Sequence, residues 1–167
     1  MFHSIKAYYH SHPLRFILAI SFLFRLLAAV FSRGYAFTDD HFFVIEEAEQ
    51  WMMGNGKVQD WWSPFISGEE RISHSTLYTF LHYLFFQILR VFGIDNPETK
   101  MLLVRLIHSV YSLFIVYFGY KITEQLSNKK AAINVAWMLG LLWFAPFLSA
   151  RNLVEWVCIP PLLYATF

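Results

Sequence analysis

From Leu14 to Ser32 the chain runs through an apolar stretch in which, past the first turn, the one charge is Arg25. That length matches the roughly 20 apolar residues needed to cross a bilayer core. A charge at the middle of such a segment costs about 2.5–3.5 kcal/mol on insertion scales, so Arg25 is expected to face other helices or a polar cavity. Lys6 and Arg15 ahead of the stretch resemble the charged start of a signal peptide. No small-residue cleavage site follows, and further apolar segments do, so it is read as a retained first span.

Composition supports a membrane solvent. The chain is 57% hydrophobic and 15% charged, against about 45–50% and about 25% for an average soluble domain. Its 13 basic and 12 acidic side chains nearly cancel and give no basis for a nucleic-acid partner. Cys158 is the single cysteine, so no disulfide framework and no cysteine-based metal site can form.

The expected organisation is all-α and polytopic, with three full transmembrane helices, a partial fourth, and a long outer loop carrying two interfacial amphipathic helices. Residues 1–13 form a polar cytoplasmic head, 14–32 the first span and 33–100 the outer loop. That loop holds ten acids against five bases. Spans follow at 101–120 and 131–147, with a cytoplasmic loop at 121–130 and the start of a further span at 153–167. The three Lys of 121–130 put that loop on the cytoplasmic side, because short Lys-rich loops stay there.

Within the outer loop, Val44, Ile45, Ala48, Trp51 and Met52 recur at helical spacing over about 39–53. Asp39, Glu46 and Gln50 fall on the opposite face, with Thr38 as an N-cap and Gly54-Asn55-Gly56 as a stop. In the segment 76–92, Thr76, Thr79, Tyr83, Gln87 and Arg90 gather in one sector of the helical wheel. An amphipathic wheel and the charge of 121–130 both argue against a crossing, so this segment is expected along the outer interface.

Two chemistries compete for Asp39 and Asp40. Carboxylates at a partly desolvated interface can act as a general base towards a hydroxyl. Acids in a first helical turn also simply complement its positive end, and from the residues alone this is the stronger reading. Glu46 is a second acid on the same face. Arg71, His74 and Arg151 all fall on the outer side, where arginine suits a phosphate and also anchors to headgroups. The histidines give no HExxH spacing, so no metal site is expected, and no Gly-rich phosphate loop is present.

The order of these features resembles the GT-C glycosyltransferases, and within them family 22, the mannosyltransferases that use dolichyl-phosphate mannose in GPI-anchor and N-glycan assembly. Arg25-Leu26-Leu27 matches the first-span arginine motif, Asp39 and Asp40 the Asp-Glu pair, and Glu46 the later Glu. Gly54 and Gly56 match the glycine pair, Arg105-Leu106 with Tyr111-Ser112 a later span opening, and Arg151 with Leu153 the downstream arginine motif. The match departs where Phe37-Thr38 replaces His-Pro, where Glu49 replaces a His, and where Gln59-Asp60-Trp61-Trp62 only approximates Thr-Trp-Glu.

The resemblance implies an inverting transfer of a sugar, such as mannose, from a polyprenyl-phosphate donor to a glycan or glycolipid hydroxyl on the outer or lumenal face. Asp39 would be the base, with Asp40 or Glu46 positioning, and no nucleotide or other cofactor would be needed. Arg71, His74 and Arg151 are the expected donor-phosphate ligands. Residues 1–167 would be the N-terminal module of a longer enzyme in the plasma or inner membrane, or alternatively the ER membrane. The rival expectations are a non-catalytic, transporter-like membrane protein, and another GT-C branch such as a protein O-mannosyltransferase or an aminoarabinose transferase.

Overall fold

Among the described residues each regular element is a helix, and several of the breaks between helices follow from a proline, a glycine or a capping side chain. The computed structural model describes residues 2–32, 34, 41–54 and 76–167. Among them the elements are α1 (Phe2–Ser11), α2 (Pro13–Phe31), a π-helical turn (His41–Glu46) running into α3 (Glu47–Met53), α4 (Thr76–Val91), α5 (Pro97–Tyr111), α6 (Leu113–Leu126), α7 (Lys129–Leu141), α8 (Ala145–Ser149) and α9 (Val154–Thr166). They divide into two compact units, residues 1–34 with 102–167, and residues 35–101.

In the first unit the N-terminal head is itself a helix, α1. It stops at His12 (φ −136°, ψ 61°), and Pro13 opens α2 at a position where a missing N–H costs nothing. Pro13, Ile17, Ser21, Arg25 and Ala29 form the buried stripe of α2, each four residues from the last. Ile17 packs with Val116 and Tyr120 of α6 and Ala132 and Ala136 of α7. The small alanines let α7 come close. Gly140 is required for the same approach, since a Cβ there would run into the Ser21 hydroxyl.

From Ser21 to Phe31 the burial of α2 is inverted relative to a water-soluble helix. Ser21 and Arg25 are fully buried, while Leu23 (50% exposed), Phe24 (47%), Val30 (49%) and Phe31 (76%) face outward. Polar groups inside and large apolar groups outside is the arrangement a hydrocarbon solvent selects.

Two helices are long and apolar enough to cross a membrane, Pro13–Phe31 and the 30-residue rod Pro97–Leu126 made by α5 and α6. The expected third span, 131–147, is not one continuous helix. α7 ends at Leu141, because Pro146 has no N–H for the Leu142 carbonyl and its ring crowds that position. Helix α8 then restarts at Ala145. Within 121–130, helix α6 continues to Leu126, held by Lys121 Nζ to Glu124 Oε2 at 3.0 Å and Tyr120 Oη to Glu124 Oε1 at 2.9 Å. Asn128 caps α7 by accepting from the Ala131 N–H at 2.9 Å, so the turn is confined to Ser127 and Asn128.

In α9, Pro160 and Pro161 lie inside the helix and leave the carbonyls of Trp156 and Val157 without their usual donors. The hydroxyl of Tyr111 donates to the Val157 carbonyl at 3.2 Å.

In the second unit, Val44 and Ile45 of the π-turn and Ala48 and Trp51 of α3 are buried. They belong to the apolar face expected for 39–53; Met52 is only partly buried. Gly54, at φ 76°, closes α3 in the left-handed conformation that glycine adopts without strain. The start of that expected helix, with Thr38 and Asp39, lies outside the described residues.

Helix α4 forms in the segment expected to be amphipathic at 76–92. Thr79, one of its polar sector, is buried with His82, Phe86 and Leu89, and its hydroxyl donates to the Phe43 carbonyl at 3.2 Å. Tyr83 and Gln87 are partly buried beside them. Leu77 (62%), Leu81 (53%), Ile88 (55%) and Val91 (85%) are the exposed ones. Thr79, Tyr83 and Gln87 of its polar sector thus pack against protein together with Phe86 and Leu89, while Arg90 of that sector and a row of leucine, isoleucine and valine are exposed. It ends in a Schellman motif, with Ile94 N–H to Leu89 O and Gly93 N–H to Arg90 O, both at 2.9 Å.

Candidate functional site

The π-turn decides what Glu46 can reach. In an α-helix, residues five apart point about 140° away from each other. A π-helix bonds i to i+5 and brings them onto one side. His41 and Glu46 are five apart, and here His41 Nε2 lies 3.6 Å from Glu46 Oε1, with the two side chains 23% and 46% exposed. The distance is that of an ion pair when the imidazole is protonated, and too long for a direct hydrogen bond. The expected alignment of Glu46 with Asp39 lies outside the described residues; within them, the local winding pairs Glu46 with His41. A wheel drawn at the α-helical period had no means of finding this neighbour.

Three residues on, Glu49 makes a close ion pair. Lys100 Nζ donates to Glu49 Oε1 at 2.8 Å, with the lysine side chain only 4% exposed. The same ammonium lies 5.5 Å from the centre of the Phe86 ring. Its position on the first turn of α5 is set by Asn96, whose Oδ1 accepts the Thr99 N–H at 3.1 Å just ahead of Pro97. Glu47, adjacent in sequence, accepts from Trp51 Nε1 at 2.7 Å. Of the three carboxylates in Glu46-Glu47-Ala48-Glu49, Glu47 is bonded within α3 and Glu49 ties α3 to the start of α5, while Glu46 is 46% exposed beside His41.

Arg151 belongs to the first unit, in the turn between α8 and α9. It is 8% exposed, its guanidinium lies 4.7 Å from the centre of the Phe147 ring, and its Nη1 donates to the Gly34 carbonyl. Arg105, from α5, donates through Nη1 to the Ser32 carbonyl. Both arginines thus meet the chain where α2 ends, which is where a helix presents unsatisfied carbonyls and partial negative charge. Burial, and then the Arg105 charge close by, pull the Arg151 guanidinium below its ordinary range. A guanidinium nonetheless stays charged at physiological pH. The sequence places Arg105 at the opening of a later span; its closeness to Arg151 depends on the tertiary fold.

Of the six expected site residues, Glu46 and Arg151 are described, one in each unit. Asp39, Asp40, Arg71 and His74 lie outside the described residues. No protein-family model matches the chain, and neither a curated protein nor a solved structure is similar to it.

Proposed function

We propose that this chain is a multi-pass membrane glycosyltransferase module that moves a sugar, mannose in the simplest case, from a polyprenyl-phosphate donor to a hydroxyl acceptor on the outer or lumenal face. The observation that carries the reading is the π-turn: it begins at His41, immediately after Asp39-Asp40, and leaves Glu46 half open while Val44 and Ile45 beside it are buried. Single π-turns are rare and are found frequently at functional positions.

In this reading Asp39 takes the proton from the acceptor hydroxyl as the new glycosidic bond forms with inversion. The bond from the sugar to the phosphate breaks, and the polyprenyl phosphate leaves as an anion. Asp40 or Glu46 positions the acceptor, or Asp39 itself. Arg71, His74 and Arg151 supply positive charge to the leaving phosphate, where fixed charge stabilises the transition state more than it does in water. No metal and no nucleotide takes part.

The membrane part of the reading has its own support in the inverted burial of α2. The proposed crossings are α2, the α5–α6 rod, and α7 with α8 as a third, broken one, with α9 beginning a fourth. Helix α4 would lie at the outer interface with its apolar side in lipid. The test is sugar transfer by membranes containing the full-length protein, supplied with polyprenyl-phosphate mannose and glycan acceptors. Transfer that persists undiminished in a well-expressed Asp39→Asn protein would end the catalytic reading.

A further inference from the structure

We propose that the end of the first unit formed by α1, the start of α2 and the α6–α7 turn is a binding surface for anionic phospholipid headgroups. The inference rests on the membrane part of the proposed function, and not on sugar transfer.

Five basic side chains lie on these elements: Lys6, Arg15, Lys121, Lys129 and Lys130. Glu124 is the one carboxylate on α1, α2, α6 and α7, and it is taken up by Lys121 and Tyr120. The remaining four cations, Lys6, Arg15, Lys129 and Lys130, are exposed. The surface therefore carries a net positive charge that these elements do not neutralise.

The packing draws these charges to one end. Ile17 shares a core cluster with Tyr120 and Ala132, so Arg15, Lys121 and the pair Lys129-Lys130 each lie within a turn of the same cluster. Helix α1 is held to that end by Tyr9. Its ring meets Phe16 at 5.4 Å and its hydroxyl accepts from Trp137 Nε1 at 3.3 Å.

The depth of the charges selects the partner. The outward apolar face of α2 follows Arg15 and runs to Phe31, about 24 Å away at 1.5 Å per residue. If that face meets hydrocarbon, Arg15 stands at the level of the phosphates on one side. Tyr8, 48% exposed, and the Tyr9–Trp137 pair are at the height where amphipathic aromatic rings collect. A soluble acidic protein would match the charge but not the apolar band that begins one turn away. An anionic leaflet matches both.

The test uses the protein purified in neutral maltoside micelles and titrated with phosphatidylglycerol or phosphatidylcholine, with bound lipid counted by native mass spectrometry. Each basic side chain near an anionic surface contributes roughly fivefold in affinity. The triple variant Arg15→Gln, Lys129→Gln, Lys130→Gln should therefore lose phosphatidylglycerol by at least tenfold while its thermal midpoint in phosphatidylcholine stays unchanged. Wild-type retention should also fall at 1 M salt, where the screening length is about 3 Å. Equal retention of the two lipids, or a triple variant that holds phosphatidylglycerol like the wild type, overturns the inference. If the protein withstands an alkaline carbonate wash of its membranes but shows no lipid preference, only this inference fails. If the wash releases it, the membrane reading fails as well.

Discussion

Arg25 Nε donates to Ser112 Oγ at 2.9 Å, joining the middle of α2 to the turn between α5 and α6, 87 residues away in sequence. The rest of the guanidinium goes to backbone, with Nη1 to Gly140 O at 2.8 Å and to Ser21 O at 3.3 Å, and Nη2 to Leu139 O at 3.2 Å. Leu139 and Gly140 lie in the last turn of α7, where carbonyls have no helical donor. One cation therefore satisfies the end of one helix and the bend of another. Ser112 passes its own proton on to the Ser109 carbonyl at 2.9 Å.

Replacing Arg25 by Met should destabilise the unit by roughly 3–5 kcal/mol, because several buried acceptors lose a charged donor together. Arg25→Lys should recover only part of that, since an ammonium cannot span Ser112 and Gly140 with a planar fork. Denaturant titration in detergent micelles measures both. A Lys variant as stable as the wild type would show that charge alone matters.

Gly140→Ala should cost about 1–3 kcal/mol, the usual range for overpacking a tight contact. The added methyl meets Ser21 directly, so the double variant Gly140→Ala, Ser21→Gly should regain most of the loss. Thermal midpoints of the two proteins in the same micelle decide it.

Lys100→Met should cost about 3–5 kcal/mol by leaving Glu49 beside an apolar group without its cation, whereas Lys100→Met with Glu49→Leu should lie close to the wild type. A double-mutant cycle on unfolding free energy reads the coupling. Additive losses would mean that the pair is not the unit the 2.8 Å contact implies.

Tyr111→Phe removes the donor that answers the Val157 carbonyl. The expected loss is about 0.5–1.5 kcal/mol, the net worth of one hydrogen bond to a partly buried acceptor. Restoring an N–H to the helix with Pro161→Ala should make the same Tyr111→Phe change nearly neutral. Equal losses in both backgrounds would remove the proline from the explanation.

Asp39→Asn should lower sugar transfer by about 10²–10⁴-fold, the usual contribution of a general base, with no change in the thermal midpoint of the protein. Glu46→Gln should act more weakly, through acceptor affinity.

Much of the helical layout was legible in the sequence because it depends on local signals. Pro13 marked the start of α2, the Gly54 stop marked the end of α3, and Val44, Ile45, Ala48 and Trp51 marked a buried face. The run from Leu14 to Ser32 announced a candidate span by length alone. What escaped were the features set by a nonlocal choice. The wheel of α4 identified its polar sector but not that Thr79 would pack against protein, since amphipathicity does not say which solvent lies on either side. The break between α7 and α8 was written in Pro146, yet a hydropathy window averages across it. The partner of Arg25 could be expected in kind, but helix-end carbonyls are not marked in sequence. Asp39, Asp40, Arg71 and His74 remain expectations drawn from spacing and resemblance.

The turn at His41–Glu46 has a consequence for how this segment tolerates change in length. A π-turn holds one residue more than the α-helical turn that could replace it. Loss of a single residue between His41 and Glu46 would let the backbone rewind to the ordinary period, at little expense to α3. His41 would then turn by about 100° around the helix axis relative to Glu46. The phase of the winding, and not the identity of either side chain, is therefore what sets the imidazole beside the carboxylate.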